Sequence, residues 1–210
     1  MKRYLCLALC FLMFFTVGCS GDKNPSSDGS GSSEGIVDTV SKGKLGDIKY
    51  PLGADVTEVK EYYGKLAADY EQQMMQQEQE ESAHNHADGH EDDGPYYEEI
   101  SHSGYTEIDI ADAHFYYEDE KADGGIAVIS TDCEVLGFTP GFTTKYEIED
   151  AINQTGTTLN ITEAEKVFLA YDAEDVIILR YEFEDYRLDF YFYDNTLMNT
   201  VLMDTAKWGV

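Results

Sequence analysis

Hydrophobic and polar positions alternate most regularly near the end of the chain. Leu188, Phe190 and Phe192 fall on one side of an extended backbone, while Arg187, Asp189, Tyr191 and Tyr193 fall on the other. That period of two is the mark of a strand with one face on a core. Tyr181 and Phe183 alternate with Glu182 and Glu184 in the same way. Strand-like runs therefore cover about Val167 to Tyr171, Asp175 to Phe183, Tyr186 to Tyr193 and Thr196 to Met203. The polar breaks between them, Asp172-Ala173-Glu174, Glu184-Asp185 and Asp194-Asn195, are too short for a crossover and predict antiparallel neighbours. A helix precedes the set: Thr144-Lys145-Tyr146-Glu147 has capping-box spacing, and Ile148, Ala151 and Ile152 follow at helical spacing.

The earlier part of the chain reads similarly. Asp55-Val56-Thr57-Glu58 has capping spacing; Val56, Val59, Tyr63 and Leu66 mark an apolar face, and Gly64 marks a stop or kink. Strands are expected at about Tyr96 to Ile100, Tyr105 to Ile110, Ala113 to Glu118 and Gly125 to Thr131. Val59 with Ile148 and Tyr63 with Ile152 share one offset of 89 residues, and Pro140 and Gly141 mark a joint. The pattern predicts an α+β fold of two tandem modules, each a capped helix followed by an antiparallel strand meander. The modules would span residues 45–139 and 140–210.

The helix starts Gly53 to Gly64, which ends Tyr-Tyr-Gly-Lys, and Gly141 to Ile152 resemble those of the β-lactamase-inhibitor-protein superfamily. That group includes small outer-membrane assembly lipoproteins and several families of Gram-positive lipoproteins. The second copy departs by lacking the Gly-Lys pair after its helix. The resemblance, over about residues 45 to 205, implies a non-catalytic module whose concave sheet face binds another protein.

The beginning of the chain concerns location. Lys2 and Arg3 precede an apolar stretch from Leu5 to Phe15, followed by Thr16, Val17, Gly18 and Cys19. That order is the plan of a secretory signal, and the stretch is shorter than the ~20 residues of a spanning helix. Thr-Val-Gly-Cys resembles the lipobox of bacterial lipoproteins, with Thr16 where Leu is usual. The resemblance implies removal of residues 1–18 and acylation of Cys19, with the membrane held through its acyl chains. The chain would then sit on the extracytoplasmic face of the cell membrane. Residues 19–44 are rich in Ser, Gly, Asp and Lys and predict a flexible tether.

A net charge of −28, which cleavage of Lys2 and Arg3 would take to −30, argues against nucleic acid, whose phosphates need Lys and Arg. It favours cations, basic protein surfaces and positively charged cell-wall components. With Cys6 and Cys10 in the signal and Cys19 acylated, Cys133 is left alone. His102 or His114 could serve it as a base, but a lone Cys beside a strand reads as structural.

The insertion 71–94 carries His84, His86 and His90 among Asp88, Glu91, Asp92 and Asp93. Imidazole and carboxylate donors at this spacing suit Zn²⁺, and such loops resemble those of bacterial metal-transport lipoproteins. A loop this polar lacks the rigid support of a tight site, so weak zinc collection is the second reading. Asp119 to Gly124 departs from a calcium loop, with Lys121 at a ligand position and Ser130 at the place of the bidentate Glu. Nucleophile-elbow, phosphate-loop and His-Glu-x-x-His signatures are absent. Tyr191 and Tyr193, among 16 tyrosines, read as core if a second sheet or a helix packs over that face, and as a candidate partner face if nothing does. The sequence thus predicts a lipid-anchored, non-catalytic binding or scaffold protein with a protein partner and no required cofactor.

Overall fold

In the computed structural model, which describes residues 33–81, 95–119, 125–169 and 175–208, the alternating segments become strands. They are β1 Tyr97–Ser101, β2 Tyr105–Ile110, β3 Ala113–Glu118, β4 Val128–Thr131, β5 Thr157–Asn160, β6 Ile177–Glu182, β7 Tyr186–Tyr193 and β8 Thr196–Asp204. The helices among the described residues are α1 Ser33–Ser41, α2 Val56–Glu81 and α3 Lys145–Ile152, with a 3-10 turn at Lys166–Phe168.

The strands form one antiparallel sheet in the order β1-β2-β3-β4-β8-β7-β6-β5. This corrects the expectation of two tandem modules. β4 pairs with β8 along Val128↔Met203 through Thr131↔Thr200, so the two meanders share a continuous hydrogen-bonded sheet. One apolar cluster also spans both halves: Val59, Ile108 and Phe115 belong with Ile148, Leu188, Phe190 and Leu202. α+β remains a fair coarse description, with the sheet dominant.

The first face of the sheet carries that cluster under the helices. Asp55 caps α2, its Oδ1 accepting from the Thr57 and Glu58 amides at 2.8 and 3.2 Å. Thr144 does the corresponding work for α3 by a different bond, its amide and hydroxyl both donating to Glu147 Oε2 at 2.7 Å. Both starts agree with the capping spacings in the sequence. Gly64 does not end α2; the helix runs on to Glu81, with Gly64 lying against the ring of Tyr97. Thus residues 71–81 of the expected insertion are helical, and the rest of it lies outside the described residues.

Two further elements differ from expectation. α1 occupies part of the stretch read as tether, and its Ile36 and Val40 are buried in the first cluster, which offsets the cost of ordering them. The apolar run at Val167 forms a 3-10 turn instead of a strand, because Glu165 closes it locally: the Thr162 amide and hydroxyl donate to Glu165 Oε2 at 3.0 and 2.8 Å. The second face carries its own cluster, in which Tyr116, Val128, Ile178, Tyr191 and Val201 pack with Phe168 and Trp208.

Candidate functional site

The β2–β3 hairpin builds the polar wall of a site on this second face. Its register pairs Glu107 with Tyr116 and Asp109 with His114, so period-two geometry sends all four side chains to one side. Glu107 accepts from three groups. His114 Nδ1 lies 2.9 Å from Oε1, His102 Nε2 3.1 Å from Oε2, and the Tyr116 hydroxyl donates to Oε1 at 3.1 Å. His114 Nδ1 also lies 3.2 Å from Asp109 Oδ1. The His102 ring stacks on Tyr105 with centroids 4.5 Å apart.

This crowding sets the charges. Burial opposes ionisation of Glu107, but the hydrogen bonds from His114 and His102 outweigh it and hold its pKa below the ordinary value. Burial likewise opposes the His114 cation, yet the bond to Glu107 and the charges of Asp109, Glu107 and Asp132 raise its pKa. Asp109 is shifted up, by burial first and then by the neighbouring carboxylates, against the pull of His114.

Facing this wall across a cavity of about 300 Å³ are Val167, Phe168 and Leu169 of the 3-10 turn and Met198 of β8. Exposed Asp132 and buried Asn199 complete the lining. A bulge places the β8 pair. Tyr191 opposes Asn199 while Phe192 opposes Leu197, so Met198 is an extra residue and both Met198 and Asn199 turn to the second face. Asn199 Nδ2 donates to Ser130 Oγ at 2.9 Å and also to the Phe168 carbonyl. Arg180 supplies the other clamp on the 161–169 segment, its Nη2 donating to Glu165 Oε1 at 2.6 Å. The wall is therefore a fixed part of the fold, and a cavity with a few convergent polar groups and one apolar side is what small-group binding needs.

His102 and His114, weighed in the sequence as bases for Cys133, lie in this wall and away from that thiol, and the other candidates named from sequence fall elsewhere. Cys19, His84, His86, Asp88, His90, Glu91 and Asp92 lie outside the described residues, as do positions 120–124. Among the described residues no group of three or more His, Cys, Asp or Glu is arranged to hold a metal, and no helix is long and apolar enough to cross a membrane. Tyr191 is core, which removes it from the candidate partner face: it is fully buried in the second cluster, while Tyr193, two residues along, is 50% exposed. Cys133 lines a different groove, with Tyr62, Tyr63 and Leu66. Its thiol pKa is pushed up by burial and by Asp132 and Asp112, away from the thiolate a nucleophile needs.

No family model and no curated protein matches the chain. A solved structure, a DUF4309 family protein (YjgB) from Bacillus subtilis subsp. subtilis str. 168, is distantly similar, at 14% identity and a TM-score of 0.33. The match covers 58% of this chain and 70% of that one.

Proposed function

We propose that this chain is a non-catalytic binding module, held on the extracytoplasmic face of the cell membrane by acyl chains on Cys19 and engaging a protein partner. The observation that supports binding is the half-open cavity between the His102–Glu107–His114 wall and the Val167–Leu169 turn. Its two imidazoles and Glu107 are already engaged with one another: this carboxylate has three donors and is ill placed to act as a general base. A thiol held protonated at Cys133 also suits a structural role better than a nucleophilic one. The charge of −28 favours a basic partner and disfavours nucleic acid.

The anchor and the binding site are tested separately. Cys19→Ala should move the protein from the membrane fraction to the soluble one, because stable attachment rests on the acyl chains; a variant that stays with the membrane excludes lipidation as the anchor. For the site, a photo-crosslinking amino acid at Val167 in the full chain should give a discrete adduct in intact cells. The same group at Tyr146, which is 73% exposed on α3, should not. Equal labelling at both positions, or none at either, would defeat the reading.

A further inference from the structure

Resting on that reading, we infer that the second-face cavity receives a cationic group on an apolar stem, as on a lysine side chain of the partner. The charges in the wall do not balance. Three carboxylates, Glu107, Asp109 and Asp132, stand with two imidazoles, His102 and His114, on the same side of the sheet, so acid is in excess even with both rings protonated. Asp109 lies in contact with the His114 ring and is half covered, so it contributes field more than contact. Asp132 is exposed at the rim, and among the described residues its carboxylate takes part in one side-chain contact, from Cys133 Sγ at 3.8 Å. It is the acid open to an incoming donor.

The opposite wall selects what carries the charge. Val167, Phe168, Leu169 and Met198 offer hydrocarbon, aromatic and thioether surface, which a bare hydrated cation cannot use. A four-carbon stem covers such a surface while its ammonium reaches the rim. An anionic ligand would meet Asp132 and Asp109 in a molecule carrying −28, and a purely apolar one would leave the acid wall to be desolvated without a partner. Only a group bearing both features satisfies both walls.

Methionine-methyl NMR on the full chain in detergent reads the cavity directly, because Met198 lines it while Met203 is buried beneath the same face. The probe is the capped peptide Ac-Ala-Lys-Ala-NH2. Expected is a saturable shift of the Met198 signal, with Met203 unmoved. Replacing the lysine by norleucine, which keeps the stem and deletes the charge, should abolish the shift, and so should replacing it by glutamate. Asp132→Asn should weaken the lysine peptide at least fivefold; being exposed, that position leaves the fold intact. An equal response to norleucine, or unchanged binding in Asp132→Asn, would overturn the ligand class. If these fail while Val167 still crosslinks a partner, the binding module stands and only the cation is wrong. If both fail, the binding reading falls too.

Discussion

At the scale of single residues the decisive feature is buried charge. Asp189, 1% exposed, accepts from Arg180 Nε and Nη2 at 2.8 Å each, and Arg187 Nε lies 3.1 Å from its Oδ2. Hydrogen bonding to Asp189, then to Glu165, raises the Arg180 pKa and keeps it charged. Asp189→Ala should therefore cost about 3–5 kcal/mol in denaturant unfolding, since it strands buried guanidinium charge. Tyr191→Phe is the contrasting case. The Tyr191 hydroxyl is buried and has no hydrogen-bond partner among the described residues, so its removal should be neutral or stabilising by up to about 1 kcal/mol. A clear loss of stability in that variant would mean that the hydroxyl is satisfied. The His114–Glu107 pair carries a pH dependence. The raised His114 pKa gives stability that is complete below its ordinary 6.5 and is lost as pH rises through the folded value. The lowered Glu107 pKa gives stability complete above its ordinary 4.5 and lost as pH falls through the folded value. Thermal unfolding should thus show this pair's full contribution between 4.5 and 6.5. Above that window the melting temperature of wild type should fall towards that of His114→Gln. Parallel curves for the two proteins would remove the pair as the cause.

At the scale of elements, stability depends on how ends are closed. Asp55→Ala removes the acceptor for two amides at the start of α2 and should cost about 0.5–2 kcal/mol. The same corner contains a tighter constraint. The Gly53 amide donates to the Ile126 carbonyl at 2.8 Å and the Ile126 amide to the Ala54 carbonyl at 3.0 Å, so the two chains touch at Gly125. A methyl group there would stand 2.9 Å from Gly53 Cα and its carbonyl oxygen, and backbone has to move to admit it. Gly125→Ala should destabilise by about 1–3 kcal/mol, measured by chemical denaturation against the exposed control Gly104→Ala, which meets nothing within 4 Å. Because Gly104 has φ +96° and Gly125 is not among the positive-φ glycines, that control carries a backbone strain that Gly125→Ala lacks, so a larger loss at Gly125 is due to the close approach. β5 shows why some elements escape a reading of pattern. Thr157–Asn160 is an edge strand with a single half-buried side chain, so it has no hydrophobic alternation to display and is defined by its pairing with β6.

At the scale of the whole molecule, β4 decides the architecture. All four of its residues are buried, and it joins the two meanders through β8. Unfolding should be one cooperative event, with far-UV circular dichroism and the fluorescence of Trp208 (the single tryptophan, buried beside Tyr105 and Phe168) giving coincident denaturant curves. Two separated transitions would restore independent halves. The amino-acid sequence by itself determined the local structure: β2, β3 and β7 span the residues that its pattern predicts, and the caps of α2 and α3 sit at the predicted spacing. The His–Glu wall was within reach too, since the short Ala111-Asp112 turn sets Glu107 against Tyr116 and Asp109 against His114. Tertiary structure alone decided that β4 meets β8, that Tyr191 is covered by the 161–169 segment's face of the sheet while Tyr193 is not, and that Met198, Asn199 and Phe168 close the cavity. Periodicity records which way a side chain points relative to its neighbours in sequence, but not what lies opposite, and those contacts are fixed by packing and by a one-residue bulge.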